Sequence, residues 1–155
     1  TNTRAEEVIF IINMKEAWQF LLDNLDCPNN LEILLEYNKI VGNLLFYDNF
    51  LPNKPVINNT FDDIINKLNQ IDNPEEKALQ FFCFVAKSKI FINGNRRVAQ
   101  LIANKILIEN NIGIFQVPID NLETFRDLLI NLYKTNNNND VISFMKKYCI
   151  KRLRN

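Results

Sequence analysis

Two stretches of this chain leave almost no room for a polar face: ALQFFCFVA, residues 78 to 86, and VAQLIANKILI, residues 98 to 108. A surface helix carries one apolar stripe, whereas a helix that is apolar nearly all round must be covered on every side. Two such helices close together in sequence therefore predict a bundle with both at its centre. The rest of the chain supplies the cover at helical spacing. Ile11, Met14, Trp18, Leu21 and Leu22 form one stripe, and Leu34, Tyr37, Val41, Leu44 and Leu45 form the next. Phe61, Ile64, Ile65, Leu68 and Ile71 make a third, followed by Leu122, Phe125, Leu129, Leu132 and Tyr133, then Val141, Met145, Tyr148 and Cys149. Start signals recur as a capping side chain with an acid three residues on: Asn29 with Glu32, Thr60 with Asp63, Asn73 with Pro74 and Glu76, and Asp120 with Glu123. The expected fold class is all-α.

At 155 residues the chain has the length of one domain, and residues 1–155 are read as such. No apolar run approaches the roughly 20 residues that span a bilayer, so no membrane segment is expected. Lys plus Arg equals Asp plus Glu at 18 each, and no aromatic-basic stripe is present, so no nucleic-acid partner is expected. The three cysteines are widely spaced and odd in number, which fits reduced thiols rather than a disulfide framework or a zinc site. With no secretory pattern in TNTRAEEV, the cytoplasm is the expected location. The chain has no histidine, which removes the commonest general base and every serine-histidine or cysteine-histidine arrangement. Its glycines are Gly42, Gly94 and Gly113, which exclude a P-loop and a GxGxxG turn.

The longest break, YDNFLPNKPVINN from 47 to 59, carries Pro52 and Pro55 beside Val56 and Ile57 and reads as an extended or hairpin-like loop. The run from Asn136 to Asn139 reads as a solvated connector. Between the two apolar helices stands KSKIFINGNRRVAQ, residues 87 to 100. A helix that starts at Gly94 or Asn95 points unpaired N–H groups outwards, and its dipole favours an anion there. Gly94 permits close backbone approach, Asn95 can cap or hold a ligand oxygen, and Arg96 and Arg97 bring planar forks suited to phosphate oxygens. The same residues also fit a plain turn with a cap and a solvated pair of arginines.

The order K-I-F-I-N-G-N-R-R-V-A-Q resembles a degenerate form of the Fic/Doc signature, H-P-F-x-D/E-G-N-G/K-R-x-x-R. EEVIFIINMKEAW (6 to 18), LEILLEYNKIVGNLL (31 to 45), the proline-containing loop at 51 to 57, LIANKILIENNIGIFQVP (101 to 118) and VISFMKKYC (141 to 149) follow that family's order of elements. The resemblance implies an all-helical Fic-like bundle with a short β-hairpin-like flap at about 50–58, in which Pro55, Val56 and Ile57 align a target. It implies transfer of AMP from ATP, with Mg2+, to a Ser, Thr or Tyr hydroxyl of a target protein; Doc-type members transfer a phosphate instead. Phe91 then corresponds to the core-anchoring phenylalanine, and Gly94, Asn95, Arg96, Arg97 and Gln100 to the nucleotide-phosphate positions.

Some positions depart from the family pattern. Lys89 stands where the family has its catalytic histidine, Asn93 where it has the magnesium-binding acid, and Gln100 where it has its final arginine. Loss of the base alone removes a factor of roughly 10² to 10⁴ in rate. The expectation is therefore a Fic-like protein impaired in AMP transfer. The alternatives are a catalytically silent pseudoenzyme that binds nucleotide or protein, and a plain helical interaction module. Fic proteins are often restrained by an inhibitory helix; Thr3 to Glu7 is a near match, but Val8 follows where glycine or asparagine is expected. Such a restraint could reside on a separate antitoxin-like protein.

Overall fold

The computed structural model describes residues 3–45 and 57–154, with the side chains of 57–59 excepted. The described residues are predominantly helical, with one small two-stranded sheet. Helix α1 (Arg4–Asp23) starts where Thr3 Oγ1 accepts the Glu6 N–H at 3.2 Å, which gives the Thr3–Glu7 segment a capping role. Helix α2 (Leu31–Val41) is capped by Asn30, whose Oδ1 accepts the Ile33 N–H at 3.1 Å. The expected cap, Asn29, lies one residue too early and turns its side chain to an interior pair instead. Helix α3 (Ile57–Asn69) begins ahead of Thr60, so Thr60 and Asp63 lie inside it rather than at its start. Helix α4 (Pro74–Ser88) begins as expected, with the Asn73 side chain accepting the Glu76 N–H at 2.9 Å and Pro74 in the first turn.

Helix α5 (Asn95–Glu109) follows the loop and leads to strand β1 (Gly113–Phe115). Asp120 falls in a 3-10 turn, Ile119–Asn121, so helix α6 (Leu122–Thr135) starts without the side-chain cap expected of it. Helix α7 (Asn139–Tyr148) then runs into strand β2 (Ile150–Arg152). The strands pair antiparallel, Gly113 opposite Arg152 and Phe115 opposite Ile150. Three residues per strand are too few to show a period-two pattern, and this pair was not foreseen. Gly113, at φ 154°, is needed here because an added Cβ would lie 2.0 Å from the Lys151 carbonyl oxygen.

Helices α4 and α5 make the most extensive contact in the molecule, and α5 also touches α1, α2 and β1. Every residue from Phe81 to Ala86 and from Leu101 to Leu107 is buried, as their all-round apolarity predicted. The stripe on α1 holds in part: Leu21 is buried and Met14 and Trp18 pack against the core beside the buried Asn13 and Ala17, whereas Ile11 is 66% exposed and Leu22 48%. Asn13 is buried because its side-chain amide donates to the carbonyls of Val41 and Asn43, where α2 ends. That end also places Leu44 beyond the helix and in solvent. Of the expected flap, Pro55 and Val56 lie outside the described residues, and Ile57 is the first residue of α3 rather than part of an extended strand. No helix among the described residues is long and apolar enough to cross a membrane.

Candidate functional site

The loop between α4 and α5 is held at both ends. Helix α4 stops at Lys89, which takes the left-handed conformation (φ 51°, ψ 44°), and the chain then drops Ile90 and Phe91 into the core. The Asn95 side chain clasps the backbone of Phe91 twice, accepting its N–H at 3.1 Å and donating to its carbonyl at 2.8 Å. Asn38 on α2 donates to the Asn93 carbonyl at 2.8 Å, which ties the loop to a second helix. Gly94 completes the turn in the left-handed region (φ 89°, ψ 9°), and its carbonyl accepts the Val98 N–H as the first bond of α5. No side chain caps this helix start, which leaves its first turn with the anion affinity of a bare helix N-terminus.

A groove of about 670 Å³ opens over the loop. Lys89, Asn93, Gly94, Asn95, Arg96 and Arg97 line it from below, with Lys87 at the end of α4 and Leu132, Tyr133 and Asn136 from α6. Of the sequence-predicted residues, Lys89, Asn93, Gly94, Asn95, Arg96 and Arg97 thus share one cavity, whereas Phe91 is in the core and Gln100 is not part of this lining. That residue lies in a neighbouring cleft of about 400 Å³, where Arg96, Arg126, Phe82, Phe115 and Phe125 join it. Lys87 donates to the Asn136 side chain, so the asparagine run between α6 and α7, solvated as expected, is also tied to α4. Asn138 makes a second tie, donating to Gln80 at 2.8 Å. Arg97 lies with its guanidinium 4.8 Å from the Phe10 ring centre, and partial burial holds its pKa below the usual arginine value.

The expected loop residues acquire positions. Asn95 spends its amide on Phe91, so its side chain sets the shape of the loop first. Lys89 is exposed and lines the same groove as Arg96 and Arg97. Asn93 is exposed and neutral, and its carbonyl already accepts from Asn38. No described carboxylate lines the groove, and no group of His, Cys, Asp and Glu that could hold a metal occurs among the described residues. A divalent cation would find only neutral oxygens there, a poor fit to a hard ion. Sequence reasoning missed Lys87, Tyr133, Asn136 and Arg126 as neighbours of the site. Lys87 was the one with a signal, since it opens the same basic stretch. Compared with protein-family models and with curated proteins, the chain matches none.

Proposed function

We propose that the chain is a Fic-like protein whose loop groove binds a nucleotide or related phosphate compound, with AMP transfer to a protein hydroxyl weak or lost. One observation carries this reading: Lys87, Lys89, Arg96 and Arg97 converge on a single groove at a helix N-terminus whose described lining holds no carboxylate. Helix dipole and arginine forks then act in the same direction on a phosphate. Lys89 in place of a histidine supports binding without efficient transfer, because the proton-accepting imidazole of that position is replaced by an exposed lysine.

Calorimetric titration with ATP, paired with incorporation of labelled AMP into candidate target protein, tests this reading. Binding should be measurable and should weaken at least about tenfold in Arg97→Ala, the loss of one charge-assisted contact. Transfer should lie below that of an active homologue by a factor of roughly 10² or more. Absence of ATP binding in a folded protein would sink the proposal. It would favour the interaction-module reading, which exposed Val8, Phe10, Ile11 and Ile12 on α1 support.

A further inference from the structure

We infer that the groove takes its polyphosphate free of magnesium, the side chains of the protein standing in for the metal, so that magnesium opposes binding. This inference rests on the reading of the groove as a phosphate site and specifies what neutralises the phosphate charge. A site built for a metal-bound triphosphate presents carboxylates that share the cation with the phosphate oxygens. The described lining of this groove presents ammonium and guanidinium groups with the amide of Asn93, the Asn95 amide being turned to the Phe91 backbone. Asn93, the position at which a metal-holding acid would be looked for, is neutral and exposed.

The protein's own cations are placed to do the neutralising. Lys87 is held by Asn136, a neutral amide that orients the ammonium and leaves its charge undiminished. Arg96 is exposed and lines both the groove and the neighbouring cleft, so its planar fork meets ligand oxygens from either side. A magnesium ion carried in on the phosphates would sit a few ångström from like charge, with no carboxylate in the described lining to offset the repulsion. It would also occupy the oxygens that the arginine forks need. Magnesium-free tripolyphosphate is therefore the better complement in both charge and hydrogen bonding.

The test is titration with inorganic tripolyphosphate, once in EDTA and once in stepwise magnesium, at constant ionic strength so that screening is the same throughout. The expected result is binding in EDTA that weakens on the order of tenfold as magnesium saturates the ligand. In the double variant Lys87→Ala with Arg96→Ala, affinity in EDTA should fall and the magnesium effect should shrink. Arg96→Gln alone, a change at an exposed position, reads the same difference should the double variant fold poorly. Binding that is unchanged or tighter with magnesium would overturn the inference and leave the phosphate site standing. No binding in either buffer would overturn the phosphate reading itself.

Discussion

Asparagine is the residue whose role this chain hides best. Its amide both donates and accepts, so the sequence shows that it can cap, clasp or bind without showing which. Asn30 caps and Asn29 does not, although the two are adjacent and either satisfies the pattern. Asn95 reads as a ligand for phosphate, yet its nearest obligation is the Phe91 backbone four residues back. Gly94 and Phe91 were legible because backbone hand and core volume leave few alternatives: one takes φ 89° and the other is buried. Gly113 carries the sharpest prediction at this scale. In Gly113→Ala the new methyl meets the Lys151 carbonyl, so β2 must move or the hairpin must open. The expected loss is about 2 kcal/mol or more in urea denaturation, and an unaltered midpoint would contradict the close approach.

Elements were legible in proportion to how strongly their surroundings constrain them. Helices α4 and α5 could be read from their all-round apolarity because a buried helix has no solvent face to blur the pattern. Helix α1 was read correctly as a helix and its face only in part: Met14, Trp18 and Leu21 meet the core, whereas Ile11 and Leu22 are exposed. On α5 the exception is Lys105, whose side chain is 0% exposed and lies 3.0 Å from the Glu109 carboxylate, one turn away. Its ammonium also donates to the Asn29 side chain at 2.8 Å, so the helix carries one charge into the core with an acidic and a neutral partner at the edge. Glu109→Gln, which leaves the buried Lys105 charge without its partner, should cost about 3 kcal/mol, and Lys105→Met, which leaves a partly exposed carboxylate, should cost less. The two changes together should cost clearly less than their sum, as a double-mutant cycle would show. Strict additivity would mean that the pair contributes nothing as a pair.

The molecule as a whole is organised around buried thiols and a buried phenol as well as hydrocarbon. Burial pushes Cys83 and Cys149 each up to about 12 from the ordinary thiol value of 9.0, and it raises Tyr37 as well. The unfolded chain releases the thiol protons from about pH 9, while the folded chain retains them to about pH 12. Stability is therefore full below pH 9 and falls through that window, by roughly 1.4 kcal/mol per thiol per pH unit. Urea midpoints measured under reducing conditions at pH 8, 9 and 10 should show a plateau followed by a decline; a flat profile would argue against thiol burial. The sequence announced this helical core but could not announce how its ends are fastened. Because β1 and β2 pair, residues 116 to 149 form a handle riveted at its base, and α6, which furnishes Leu132, Tyr133 and Asn136 to the groove, belongs to that handle. The handle is fastened twice, at its base by the strand pair and at its bend by the ties of Asn136 and Asn138 to α4, so the wall that α6 lends to the groove is anchored at both ends.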